Sequence, residues 1–190
     1  MILRCTAKVV KLLGARALYE VPAAEGDWYV NLVYLERRKC LLITHAGSLF
    51  TVFAADVRKA DLIPFGNFVS LAIQRELKSE ALAADTFGNM DQADWRLAKT
   101  ASRSVLGCMN EMATHCWYAV KMSGGFPACD FGRLNHELRR TMHAPRGYAR
   151  PIDVVRQQSR GAKDVGERGR LLQLHGSTSK RRDEPFRKVP

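Results

Sequence analysis

Between Trp28 and His45 the chain carries two apolar runs, WYVNLVYL and CLLITH, divided by the charged knot Glu36-Arg37-Arg38-Lys39. Their content of Trp, Tyr, Val, Ile and Thr predicts strands over 28–35 and 40–45 joined as a hairpin, with a third strand over 49–53 after Ala46-Gly47-Ser48. Pairing Leu35 with Cys40 sets Val33 against Leu42 and Asn31 against Thr44 on one face. The other face then holds Trp28, Val30, Leu32 and Tyr34 with Leu41 and Ile43. Both faces are largely apolar, whereas a half-solvated sheet alternates apolar with polar. The chain must therefore supply helices for both sides of this sheet, and that requirement narrows its possible folds more than any other feature.

Helices are available. A short strand over 2–5 precedes a helix over 7–13 that Thr6 can cap and Gly14 can end. Pro64 stands where a second helix can begin, and Phe65, Phe68, Val69, Ala72, Ile73 and Leu77 recur at helical spacing up to about Leu82. Residues 95–99 read as a short extended piece. A long helix spans about 103–122, with the stripe Val105, Met109, Met112, Cys116 and Val120, and Ser123-Gly124-Gly125 stops it. A last helix is expected over 131–142, with Asp130 as its N-cap. The expected fold is α+β: a small antiparallel β-meander packed with about four helices, in a single domain over 1–150. Residues 151–190 have few large apolar side chains and no sustained period, which predicts a flexible basic tail that buries too little to offset its ordering entropy.

The formal net charge is +11, of which ten Lys/Arg against five Asp/Glu in residues 151–190 contribute +5, leaving +6 on residues 1–150. A basic balance favours contact with polyanions without identifying one. The five cysteines form no C-x-x-C pair and lie in or beside apolar segments, which predicts free thiols in a reducing cytoplasm. Arg4 and Lys8 interrupt the first apolar residues, so no signal-peptide core is expected there. No apolar run approaches the roughly 18 residues that a membrane span requires, so no membrane partner is expected.

The stretches MILRCTAK, DWYVNLVYLERRKCLLITHAGSLF, DVRKADL and LAKTASRSVLGCMNEM, in that order, resemble a family of small bacterial proteins known only as a domain of unknown function. The resemblance covers roughly residues 1–150. It implies no activity, cofactor or catalytic residue that can be carried over.

The chemistry-bearing groups are sparse. Arg37-Arg38-Lys39 reads first as a charged turn and second as a phosphate clamp. Cys108 and His115 fall only about 20° apart on a helical wheel, but two ligands are short of the three or four that zinc takes, so no metal and no cofactor is expected. No G-x-S-x-G, P-loop or G-x-G-x-x-G is present. Asn31 and Thr44 read as a cross-strand hydrogen-bonded pair, or, with Arg103 and Asn110, as the lining of a pocket in an enzyme of unrecognised type. On the last helix Phe131, Leu134, Leu138 and Met142 form an apolar stripe. Arg133, His136, Arg140 and His143 lie opposite, within about 80° of one another, and with Arg146 and Arg150 they are the candidates for anion or nucleic-acid contact. These features favour a binding or interaction module over an enzyme. The sequence identifies no partner; the candidates are nucleic acid, met weakly and without sequence preference by the last helix and tail, and another protein.

Overall fold

The computed structural model describes residues 1–15, 17–90 and 94–159. In chain order the elements are β1 (Ile2–Cys5), α1 (Ala7–Leu13), β2 (Trp28–Leu35), β3 (Arg38–His45), β4 (Thr51–Ala54), α2 (Phe65–Ser79), β5 (Arg96–Lys99), α3 (Arg103–Met122) and α4 (Phe131–Leu138). Residues 151–159 are helical as well. The fold is α+β, and Met1–Arg156 form one compact unit.

The strands form one sheet in the order β4-β3-β2-β1-β5. The meander of β2, β3 and β4 is antiparallel as expected, but the sheet as a whole is mixed. β1 lies parallel to both β2 and β5. Strands of four residues display no period of their own, and parallel pairing is made by a crossover through α1 rather than by a turn. Gly14 ends α1 in the left-handed conformation (φ 68°), while the Thr6 hydroxyl donates to Asn31 Oδ1 at 3.2 Å instead of capping the helix.

The hairpin register differs from the expected one by two residues. Leu35 pairs with Arg38, Val33 with Cys40, Asn31 with Leu42 and Tyr29 with Thr44. The turn is only Glu36-Arg37, both at positive φ (45° and 67°), as in the tight hairpin turns whose twist matches that of the flanking strands. Arg38 and Lys39 therefore belong to β3. A slip of two leaves every side chain on its face, so the requirement for helices on both sides still holds, although the Asn31–Thr44 pair does not form.

One face packs Leu3, Val30, Leu41 and Ile43 against Val9 of α1 and Val69, Ile73 and Leu77 of α2. The other packs Tyr29, Leu42 and Phe53 against the α3 stripe Val105, Met109, Met112, Cys116 and Val120, together with Leu134 and Leu138 of α4. Arg4, within β1, is buried. Its guanidinium donates to Asp27 Oδ2 at 2.5 Å and to the carbonyls of Lys99, Val21 and Pro22, tying the loop after α1 to the sheet.

Three expected boundaries move. The third strand is Thr51–Ala54 instead of 49–53. The last helix keeps Asp130 as its cap, with Oδ1 accepting from Arg133 N–H at 3.0 Å, but it ends at Leu138 instead of 142. The Arg139 carbonyl, which a continuing helix would use, accepts from Ile152 N–H at 3.0 Å. The folded unit also runs past residue 150, because Ile152 and Val155 are buried in the first core. The expected tail over 160–190 lies outside the described residues.

Two substitutions check these assignments. Arg37→Gly removes a side chain from a left-handed position and should raise stability by about 0.5–1 kcal/mol in urea unfolding; a loss would contradict the turn geometry. Ile152→Ala should cost about 2–4 kcal/mol. A cost within a few tenths would place residue 152 outside the folded unit.

Candidate functional site

β4 is an outer strand of the sheet, and an open edge invites pairing with other chains. A side chain closes it here. Asn135 Oδ1 accepts from Phe53 N–H at 2.7 Å and Asn135 Nδ2 donates to the Phe53 carbonyl at 2.9 Å, so one carboxamide stands in for the next strand. Beyond it, between α2 and the start of α4, opens a cleft of about 970 Å³. Its apolar lining includes Val57, Phe68, Ala72 and Phe131, and Ile63 and Leu71 stand on its rim, 73% and 67% exposed.

The polar groups of the cleft are mostly committed to the protein itself. Asp56 pairs with Arg38 at 2.5 Å, Asp61 accepts from Arg58 N–H at 2.9 Å, and Glu76 pairs with Arg139 at 3.0 Å. Asn67 lines the cleft without such a bond. The arrangement can hold apolar groups; among the described residues its three carboxylates each have a partner within the protein.

Nucleophilic chemistry elsewhere is muted too. All five cysteines are free thiols, and burial pushes Cys5 and Cys116 up to about 12 and Cys40 to about 11, far from the thiolate form that reacts. Burial, with the nearby Arg146 charge, lowers His45 to about 4, and its ring packs among Trp28 and Phe87 with Nδ1 bonded to Ser48. Among the described residues one group of three can offer ligand atoms to a metal: Cys108, Glu111 and His143, whose atoms lie within 4.8 Å of one another.

Residues 2–154 match the family model described as Domain of unknown function (DUF6933). The chain belongs to this family. No curated protein and no solved structure matches it. The family's span reaches residue 154, into the last helical stretch.

Within this family member the candidate residues read from the sequence are dispersed. Asn31 is tied to Thr6, and Thr44 shares its hydroxyl with Thr51 at 3.0 Å. Arg103 and Asn110 are exposed on α3, and none of the four lines the cleft. Of the basic candidates, Arg133 is exposed but paired with Glu137 at 2.8 Å. Arg140 pairs with Glu80 at 2.7 Å, and Arg146 pairs with Glu25 at 3.5 Å and also donates to the Ala46 carbonyl. His143 is buried. His136 and Arg150 are exposed with no ion pair among the described residues. The basic stripe is not one continuous face, because the helix that would align it ends at Leu138. His115 turns to Glu137 at 3.8 Å, and the ligand-type group that holds Cys108 contains Glu111 and His143 and not His115. Of the charged knot, Arg38 lies over the Phe126 ring and pairs with Asp56, as a structural turn would. The residues that build the cleft were not singled out by sequence, except as helix or strand positions.

The back of the site is a buried ionic cluster. Arg139, 1% exposed, donates from Nη1 to Glu76 and from Nε to Glu80, each at 3.0 Å, and its guanidinium lies over the Phe50 ring at 5.3 Å. Burial alone would raise the Glu80 carboxyl, but hydrogen bonds and charge from Arg140 and Arg139 outweigh it and hold the group at about 2, below its ordinary 4.5. A depressed carboxyl contributes stability above its unfolded value, and that stability is lost as pH falls through the folded one. Stability against urea should therefore fall as pH drops from 4.5 to 2, by on the order of 2–3 kcal/mol from this group. Glu80→Gln should be less stable at neutral pH and show a shallower acid decline. An identical decline in the variant would assign the effect to other carboxylates.

Proposed function

We propose that this protein is a cytoplasmic binding module that receives an apolar segment of a partner protein in the cleft between α2 and α4. The observation that carries this reading is the pairing of an apolar cleft with two large apolar side chains, Ile63 and Leu71, left in solvent on its rim. Exposed apolar residues clustered at a groove mark a contact surface. A small molecule seated in the cleft would leave both rim residues in water, whereas a polypeptide segment covers them. The internal commitment of Asp56, Asp61, Glu76 and Asn135 supports recognition by shape and apolar contact, because catalysis asks for at least one available acid, base or nucleophile. The free thiols are in keeping with a reducing compartment.

Peptides selected by display against the full chain test this. They should be rich in apolar residues, and Leu71→Glu and Ile63→Asp should each weaken binding at least tenfold, about 1.4 kcal/mol. Tyr118→Glu, at an exposed aromatic on α3, should leave affinity unchanged. Peptides that bind the Leu71 and Ile63 variants as well as the parent would overturn the proposal. So would a cleft that takes small apolar compounds but no peptide, or binding only to nucleic acid with steep salt dependence.

A further inference from the structure

Cys108 and Glu111 lie one turn apart on α3, so their side chains leave the same face of the helix. His143 reaches this face from the segment after α4. It is 2% exposed, yet neither ring nitrogen has a hydrogen-bond partner among the described residues. Its Nδ1 stands 3.7 Å from Glu111 Oε2, too long for a hydrogen bond. Leaving a buried donor or acceptor without a hydrogen bond is costly, so an imidazole with no hydrogen bond at either nitrogen is expensive where it stands. The backbone holds it there: the His143 carbonyl accepts from Arg146 and Tyr148 N–H groups, each at 3.1 Å, and a short 3-10 turn, Ala144–Arg146, follows.

We propose that Cys108, Glu111 and His143 form a zinc site. A thiolate, an imidazole and a carboxylate are the three ligand types zinc takes, whereas the thiolate is foreign to magnesium and calcium sites. Two anionic ligands with one neutral imidazole balance the charge of a divalent ion, which suits a half-buried position. Ligands at zinc distances of ~2.0–2.3 Å in a tetrahedron stand roughly 3.3–3.8 Å from one another. The three atoms, within 4.8 Å of one another, need to close by about an ångström. Glu111, whose side chain is 75% exposed, has the freedom to do so. Three protein ligands leave the fourth position to water, reached from the solvent side that Glu111 occupies. The site is separate from the cleft, which none of these residues lines.

The test uses the full chain, stripped with a chelator under reducing conditions and titrated with zinc chloride against a chromophoric competitor. One equivalent should bind. Glu111→Gln, at a side chain too exposed to endanger the fold, should weaken binding at least tenfold, and His143→Gln should do so further. Cobalt in place of zinc should give a thiolate-to-metal charge-transfer band that Cys108→Ser removes and Cys129→Ser, at the partly exposed cysteine, leaves intact. No binding by the folded parent overturns the site. Binding that survives Cys108→Ser and Glu111→Gln, or a band that depends on Cys129, overturns it equally.

Discussion

The buried guanidinium of Arg139 is the point at which the two helical layers are joined. It leaves the end of α4, whose Leu134 and Leu138 belong to one core, and reaches Glu76 and Glu80 on and just after α2, whose Ile73 and Leu77 belong to the other. A buried charge is tolerated only when paired and hydrogen-bonded, and removing one partner of such a pair typically costs about 3–5 kcal/mol. Two carboxylates and the Phe50 ring meet that demand. The same residue accepts from Ile152 through its carbonyl, which starts the last helix, and it turns the chain toward His143. The back of the cleft is built on this side chain, and the final helix is tied to the same residue through its backbone.

The two sites treat polar groups in opposite ways. At the cleft, Asp56, Asp61 and Glu76 are bonded inside the protein, as is the carboxamide of Asn135 that completes the β4 edge. What remains on offer is apolar surface, whose burial is non-directional and proportional to area. Beside α3, a buried imidazole has no hydrogen bond among the described residues, and its neighbours are a thiol and a carboxylate. A satisfied polar network rigidifies; a buried polar group left unsatisfied is costly and calls for an explanation.

Much of the architecture was legible. The bounds of α3 follow directly from a long 3.6-residue period and a Ser-Gly-Gly stop, and they agree with the structure at both ends. Apolar residues on both faces of the hairpin called for helices on both sides, and a register error of two residues did not disturb that inference because side-chain direction has period two. The turn itself was misread because Arg38 and Lys39 look like loop residues. They sit at the strand tip, where charge meets water, and the backbone made the turn from two non-glycine residues at positive φ. β1 and β5, four residues each, carry too little pattern to announce a parallel pairing made across about half of the chain.

By itself the sequence determined the local and periodic features: which segments before residue 150 are helices, which faces are apolar, and that the sheet is enclosed; the helix over 151–159 falls in the stretch that the sequence presents as tail. It also placed the chain within its family's span. The tertiary structure alone decided which charged and ligating groups meet. A helical wheel aligned Arg133, His136, Arg140 and His143 and set Cys108 beside His115. Once α4 stopped at Leu138, Arg140 turned to Glu80, His143 turned inward to Cys108 and Glu111, and His115 was left to Glu137. Hydrophobic period is written in neighbouring residues. Ion pairs and metal ligands act through space, and Arg139 and Glu80, 59 positions apart in the chain, are neighbours only because the fold makes them so.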